Sequence, residues 1–177
     1  MKGSSAFHST RALCIAALLT ALSVVIGIFC KSFLNFGNGL FRITFENLPI
    51  LLSGFLFGPV VGALVGAASD LLSYLLSAQA YPPNFVVTAG AAAIGLSAGF
   101  FYRYTFKKLK RGFRIGASGF LAHILGSMII KPIGLYQFYG MAVLARIPMY
   151  ILIAPIEIAV LISLYKQRSF ASLIDKL

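Results

Sequence analysis

The chain is dominated by long apolar runs, which short polar segments separate. A helix of about 20 apolar residues crosses the hydrocarbon core of a bilayer, where its backbone groups must hydrogen-bond within the helix. These runs predict an all-α fold, a polytopic six-helix transmembrane bundle formed by a single domain over residues 1–177. The predicted helices cover residues 12–29, 44–57, 60–77, 85–106, 115–130 and 147–165.

Composition excludes most other classes of protein. Hydrophobic residues make up 59% of the chain and charged residues 11%, whereas soluble domains average about 45–50% and about 25%. So few charges cannot coat a soluble globule, and two cysteines do not make a disulfide scaffold or a zinc ribbon. We also find no phosphate loop or dinucleotide fingerprint, so the sequence predicts no metal, no cofactor and no enzymatic activity.

The placement of positive charge predicts the orientation of the bundle. If the six helices alternate in direction, 11 of the 15 Lys and Arg residues fall on the side of the two termini and four fall on the other side. Five of the 11 lie in the segment 107–114, which contains no acid. By the positive-inside rule, both termini are expected in the cytoplasm of a multi-pass membrane protein. The basic segment is therefore interpreted as a topogenic, lipid-facing element and not as a nucleic-acid site.

The four cations of the opposite side lie near aromatic and amide side chains. Aromatic rings stack on flat ligands and arginine binds carboxylates in a bidentate manner, so this combination favours a pocket for a heteroaromatic ligand that carries carboxylates. An ordinary interfacial belt of aromatic and basic residues remains the alternative. Arg42 also has Glu46 one turn later as a potential partner. The candidate binding residues are Lys31, Arg42, Asn47, Tyr81, Asn84, Thr88, Lys131, Tyr136 and Arg146.

Two acids, Asp70 and Glu157, fall inside predicted helices. A carboxylate inside a membrane span must face the bundle interior, a water-filled cavity or a partner, because lipid does not solvate it. These acids are compatible with a proton relay or ion site, and equally with structural pairing. A self-sufficient secondary transporter that uses them is the main alternative function.

Small residues four apart in the first helix form two overlapping pairs, Ala12 with Ala16 and Ala17 with Ala21. Such spacing flattens one helix face and permits close approach of a second helix. Internal packing and docking of another membrane subunit are the two interpretations of these alanines.

One motif resembles a catalytic sequence, because Gly116-Ala117-Ser118-Gly119 matches the Gly-x-Ser-Gly pattern of intramembrane serine proteases. That chemistry needs a histidine base presented to the serine from another helix. His123 lies five residues from Ser118 on the same predicted helix and is poorly placed for this role. We therefore interpret the two glycines as sites of tight helix packing.

The segments Phe45-Glu46-Asn47-Leu48-Pro49-Ile50 and Gly54-Phe55-Leu56-Phe57-Gly58-Pro59, followed by Gly62, Gly66 and Asp70, resemble the substrate-binding S components of energy-coupling factor (ECF) vitamin transporters, particularly the folate family. The resemblance extends to the alanine pairs, to Tyr81-Pro82-Pro83-Asn84, and to the sequences around His123, Lys131 and Arg146. One departure is Pro-Pro-Asn-Phe, where many folate-family members have a Pro-Gly-Phe-type loop.

This resemblance implies six helices with both termini inside and an outer vitamin site built from helices four to six. It also implies that the alanine face of helix one docks on a transmembrane coupling protein with two cytoplasmic ATPase subunits, which supply the energy. The leading hypothesis is a high-affinity folate-binding S component that catalyses no bond chemistry. Pantothenate, riboflavin and thiamine are the alternative ligands.

Overall fold

The computed structural model describes residues 10–36, 41–77 and 83–167. Seven α-helices account for most of them, and one short antiparallel pair joins β1 (Asn35–Phe36) to β2 (Phe41–Arg42). The helices are α1 (Thr10–Phe33), α2 (Asn47–Phe57), α3 (Pro59–Leu76), α4 (Phe85–Phe100), α5 (Arg111–His123), α6 (Lys131–Tyr139) and α7 (Arg146–Lys166).

Within the described residues, four helical stretches are long and apolar enough to cross a membrane: Thr10–Phe33, Pro59–Leu76, Phe85–Thr105 and Arg111–Lys166. The last stretch is 56 residues long and consists of α5, α6 and α7 with the segments between them, among which is a 3₁₀ segment at Gly140–Ala145. The backbone changes direction at Gly140, whose φ of 56° lies in the left-handed region that glycine adopts easily. Helix α2 is apolar but has only 11 residues, as the short second run predicts. The fold is thus helical, with apolar stretches of membrane-spanning length.

The fifth helix does not end near Lys131-Pro132, so that prediction is wrong. The π-helical segment Ile124–Ile130 continues α5 directly into α6, which reaches Tyr139. Pro132 lies in the first turn of α6, where the missing N–H is tolerated best, and the wider π turn precedes it. Lys131 therefore lies within continuous helix and not in a connection.

Three other boundaries also differ clearly from the prediction. Helix α1 ends at Phe33 and not at residue 29, so Lys31 lies within it. Helix α2 begins at Asn47 and not at residue 44, because Thr44 Oγ1 accepts a hydrogen bond from the Glu46 N–H at 3.3 Å before the helix starts. Helix α5 begins at Arg111, so the basic segment is divided between a connection and the first turn of a helix.

Glycines bring α2, α3 and α4 into close contact. A Cβ atom at Gly95 of α4 would lie 2.0 Å from the Gly62 carbonyl oxygen of α3, and a Cβ at Gly66 would lie 2.2 Å from the Ala91 carbonyl oxygen. Side chains at these positions would force the helices apart, so the backbones touch directly. This three-helix unit supports the pocket described below.

Helix α1 packs on this unit through one face. Ala12 and Ala16 are buried within the chain, whereas Ala17 and Ala21 are exposed. The two predicted alanine pairs therefore have different roles in this structure. The Ala12–Ala16 pair packs internally, which corrects its assignment to docking, because side chains already covered by the chain's own core cannot contact a partner.

The bundle has two chemically different ends. At one end lie the C-termini of α1 and α3 and the N-termini of α2, α4 and α7, and we call it the pocket end. At the other end, the basic end, lie the Gly58-Pro59 turn, the connection at residues 106–110, the N-terminus of α5 and the C-terminus of α7.

Candidate functional site

A polar cavity opens at the pocket end. Most of the helices contribute residues to it, because their ends meet here. Its lining combines three cations, two acids, two tyrosines, and smaller polar and apolar groups: Lys31, Thr44, Glu46, Asp70, Leu71, Tyr74, Pro83, Asn84, Val87, Thr88, Lys131, Leu135, Arg146 and Tyr150. A narrower chamber shares Glu46, Asp70 and Lys131 with it and adds serine hydroxyls from α1 and α3.

Lys131 forms part of the cavity floor and is only 4% exposed. Its stem passes over α4 where Gly90 leaves space, since a Cβ at Gly90 would lie 2.8 Å from Lys131 Cγ. The ammonium group donates to Asn47 Oδ1 at 3.1 Å and lies 3.4 Å from Glu46 Oε1. The carboxylate partner compensates for the burial of this charge.

Glu46 reaches Lys131 because α1 makes room for its carboxylate. A Cβ at Gly27 of α1 would lie 2.9 Å from Glu46 Oε2, so a side chain there would displace the acid. Ser23 of α1 donates to the Glu46 backbone carbonyl at 2.7 Å. The start of α2 is therefore fixed on α1 directly beneath the cavity.

Lys31 lies near the end of α1 and binds the end of α3. Its ammonium group donates to Ser73 Oγ at 2.7 Å and to Ser77 Oγ at 3.4 Å. Lys31 therefore joins α1 to α3 at the edge of the cavity, and its side chain lines the cavity.

Asp70 and Thr88 face each other across the cavity wall between α3 and α4. Thr88 Oγ1 donates to Asp70 Oδ2 at 2.7 Å. Nearby, Asn84 accepts a hydrogen bond from the Val86 N–H and so caps the N-terminus of α4, and its amide nitrogen donates to the Gly134 carbonyl of α6. Asn84 thus holds α4 against α6 where both border the cavity.

Arg146 begins α7 and is 5% exposed. Its guanidinium carbon lies 4.8 Å from the centre of the Tyr139 ring, within the range of a cation–π contact. Tyr150, one turn later on α7, is also buried and lines the cavity. Helix α7 therefore contributes a planar cation and an aromatic ring to one wall.

Five of the predicted binding residues line this cavity: Lys31, Asn84, Thr88, Lys131 and Arg146. Asn47 is fully buried beneath it, in contact with Lys131. Tyr136 is 53% exposed and lies outside the lining set. Arg42 is placed by its backbone in β2, and Tyr81 lies outside the described residues.

Four further polar residues line the cavity that the sequence does not predict as binding residues: Asp70, Glu46, Tyr74 and Thr44. The sequence identifies Asp70 as an acid inside a helix, and its distance from the end of α3 locates it near the same mouth. For Glu46 the sequence predicts only a pairing with Arg42, because that spacing is visible in it. Its pairing with Lys131 joins residues 85 positions apart.

Glu157, the second acid within a helix, is separate from the cavity lining. Its Oε2 lies 2.8 Å from His123 Nε2, and both side chains are almost completely buried. The other ring nitrogen of His123 lies 3.3 Å from Ser127 Oγ. The structure thus provides Glu157 with a buried pairing between α5 and α7.

The protease-like motif does not form a nucleophile–base pair. Both ring nitrogens of His123 contact other groups, and Ser118 Oγ is buried without a hydrogen-bond partner among the described residues. Tight packing does not explain both glycines, which corrects that interpretation. A Cβ at Gly116 would only reach Ile158 Cγ2 at 3.9 Å, whereas at Gly119 it would lie 3.2 Å from Ile158 Cγ1.

Comparison with known proteins places this arrangement in a family. Residues 11–174 match the family described as the ECF transporter, substrate-specific component. The chain belongs to this family. A relative from Clostridium novyi (strain NT), the folate transporter FolT, is 35% identical over 85 residues, which are 46% of this chain and 48% of that protein. The matched region thus spans about half the length of that relative.

Solved structures resemble this substrate-specific component over most of its length. The crystal structure of FolT bound with folic acid superposes with a TM-score of 0.66 at 25% identity and covers 86% of this chain and 91% of that chain. The structure of the S component of a bacterial ECF transporter gives a TM-score of 0.62 at 24% identity, covering 92% and 96%. The second likeness concerns the fold alone.

Proposed function

We propose that this substrate-specific component binds folate in the cavity at the pocket end, without changing any covalent bond. The observation that carries the proposal is the convergence of Lys31, Lys131 and Arg146 on one cavity that also contains Tyr74 and Tyr150. The three cations exceed the two acids, Glu46 and Asp70, by one positive charge. A ligand with two carboxylates and flat rings complements both features.

The chemistry of folate suggests how the lining is used. Arg146 and Lys31 bind the glutamate carboxylates, with Arg146 offering a planar fork of N–H donors. The tyrosines contact the rings. Asp70 accepts hydrogen bonds from the amino group and ring N–H of the pterin, because an ionised carboxylate is purely an acceptor. Lys131 keeps the floor positive while Glu46 and Asn47 fix its position.

Equilibrium binding to the purified protein tests this proposal. Replacing Arg146 by Ala removes a charge-assisted contact worth about 1.5–3 kcal/mol, so folate affinity should fall roughly 10- to 100-fold. A simple pterin without the benzoyl-glutamate part should bind the variant nearly as well as the parent protein. The matched control is Arg103→Ala, at the basic end, where Arg103 donates to the Leu56 carbonyl.

Two outcomes would contradict the proposal. Equal losses of folate and pterin affinity in Arg146→Ala would remove Arg146 from the glutamate site. Binding of riboflavin, thiamine or pantothenate by the parent protein, with no sub-micromolar folate binding, would reassign the ligand.

We further propose that the protein spans the bacterial cytoplasmic membrane six times, with α5, Ile124–Ile130 and α6 forming one span. Both termini then lie in the cytoplasm with the basic end, and the pocket end faces outside. The partners are a transmembrane coupling protein and two cytoplasmic ATPase subunits. Exposed Ala17 and Ala21 on α1 supply a flat docking face, since small residues four apart allow close helix approach.

A further inference from the structure

A shallow, open groove, distinct from the cavity at the pocket end, lies on the surface between α5 and α7. Every residue that lines it is apolar. We call it the α5–α7 groove, and its lining residues are Gly112, Phe113, Gly116, Ala117, Phe120, Pro155, Ile158 and Ala159.

Two glycines keep this groove open without bringing helices together. A Cβ at Gly112 would meet nothing within 4 Å of the described atoms, and a Cβ at Gly116 would meet only Ile158 Cγ2 at 3.9 Å. At Gly62, Gly66 and Gly95, by contrast, a Cβ would collide with the backbone of a neighbouring helix. The groove glycines therefore leave unfilled space beside the bundle.

Positive charge is concentrated where this groove reaches the basic end. Lys107, Lys108, Lys110 and Arg111 are all exposed, and we call them the basic cluster. Lys110 and Arg111 immediately precede Gly112 and Phe113, which line the groove. In addition, Lys166 ends α7 on the same side and is exposed.

The described part of the chain provides no acid for this cluster. Its three acidic side chains are Glu46 and Asp70, which line the pocket, and Glu157, which pairs with His123. Arg114, the next basic residue, is directed elsewhere, because its guanidinium carbon lies 3.8 Å from the centre of the Tyr102 ring. The basic cluster therefore needs an anion from outside this part of the chain.

We propose that the α5–α7 groove and the basic cluster form a binding site for an anionic phospholipid. One acyl chain lies in the groove against Phe113 and Phe120, and the phosphate contacts Lys110 and Arg111 at its mouth. Charge complementarity favours this occupant, because one anionic phospholipid supplies both an acyl chain for the apolar groove and a negative charge for the basic cluster. Juxtamembrane lysines and arginines attract anionic headgroups, and the adjacent groove converts this attraction into a located site.

The chain contains no tryptophan, so one introduced tryptophan reports on one location. Phe120→Trp puts the reporter in the groove, and Leu18→Trp puts it on the exposed face of α1. Residue 120 lies about 13.5 Å along its helix from the start of α5, and residue 18 lies about 12 Å from the start of α1, so the two reporters sit at similar depths. Each variant is reconstituted in phosphatidylcholine vesicles containing brominated phosphatidylglycerol or, separately, brominated phosphatidylcholine.

Quenching of the tryptophan fluorescence by each brominated lipid measures how strongly that lipid associates at the tryptophan. At Phe120→Trp, brominated phosphatidylglycerol is expected to associate about five-fold more strongly than brominated phosphatidylcholine. At Leu18→Trp, the two lipids are expected to associate about equally. Adding Lys110→Gln and Arg111→Gln to Phe120→Trp should abolish the preference, whereas adding Arg11→Gln, a charge change on α1, should retain it. Gly116→Leu, which fills the groove, should also abolish it.

Equal quenching by the two lipids at Phe120→Trp would overturn the proposal and leave the groove to a protein partner. The same preference at Leu18→Trp would also overturn it, since the effect would then be general membrane electrostatics. Persistence of the preference after both the charge and the groove-filling substitutions would have the same consequence.

Discussion

The Asp70 carboxylate is the pocket group best suited to distinguish one part of the ligand from another. It accepts one hydrogen bond from Thr88, and an ionised carboxylate has acceptor sites left for a ligand. The basic residues across the pocket favour acidic groups of a ligand, whereas Asp70 favours hydrogen-bond donors. In the proposed binding mode, Asp70 and Arg146 therefore divide the pocket into a donor-binding and an acid-binding part.

Replacing Asp70 by Asn should lower the binding affinities for folate and for a simple pterin by similar factors. The amide has almost the same shape, but it loses the charge and presents an NH₂ group to ligand donors. A roughly 10- to 100-fold loss for both ligands is expected in equilibrium binding, because a hydrogen bond to a charged group contributes about 1.5–3 kcal/mol.

Thr88→Val is the matched control, since it removes the hydroxyl that binds Asp70 but leaves the carboxylate. Its effect should be clearly smaller. If Asp70→Asn lowered the affinity for folate but not the affinity for the simple pterin, the carboxylate would not be binding the pterin ring.

The helices themselves differ in how they use glycine. At the α3–α4 contact, Gly62 and Gly95 let two backbones touch, whereas Gly112 and Gly116 on α5 border open space. The same residue type therefore has opposite consequences for stability, depending on what a methyl group would meet. Sequence spacing does not distinguish the two situations.

Gly95→Ala should destabilise the protein strongly, because its Cβ would lie 2.0 Å from the Gly62 carbonyl oxygen and the helices would have to separate. Overpacking of this kind costs about 1–3 kcal/mol or more. Gly116→Ala should instead leave stability unchanged or raise it by up to about 1 kcal/mol, since alanine favours helix and the space is free. Thermal unfolding in detergent compares the two variants, and equal midpoints would contradict the direct α3–α4 contact.

Hydropathy predicts a helix boundary where the composition changes from apolar to polar. The runs at 60–77 and 147–165 correspond closely to α3 and α7. The end of the fifth helix was not predictable, because a π segment lets helix continue through Lys131-Pro132 and hydropathy does not detect hydrogen-bonding pattern. This continuation also moved Lys131 from an expected connection into the core.

The site residues were predictable where a single residue stands out in the sequence. Lys31, Lys131 and Arg146 stand out because they are rare charges in apolar surroundings, and such charges must face a partner or a cavity. Which partner each finds depends on tertiary contacts. Glu46 pairs with Lys131, 85 residues away, and only the folded bundle brings these two together.

The molecule as a whole separates its two kinds of charge. At the pocket end, three cations and two acids surround a cavity, while at the basic end exposed lysines and arginines form a cluster without acids in the described chain. The two acids that lie within helices, Asp70 and Glu157, each bind a neighbour from another part of the bundle. This arrangement suits the proposed function, in which the chain captures the ligand and the proposed partner subunits supply the energy.

Proteoliposomes containing this chain alone should therefore bind folate but not accumulate it, even under a pH gradient. Adding the coupling protein, the two ATPase subunits and ATP should produce accumulation.

The double variant Ala17→Leu, Ala21→Leu should abolish that uptake and retain folate binding, because bulky groups on the exposed face of α1 prevent docking. Ala89→Leu, another exposed alanine, on α4, should retain both. Gradient-driven accumulation by the chain alone, lost in Asp70→Asn, would instead establish a secondary transporter, since the acid would then carry the coupling proton.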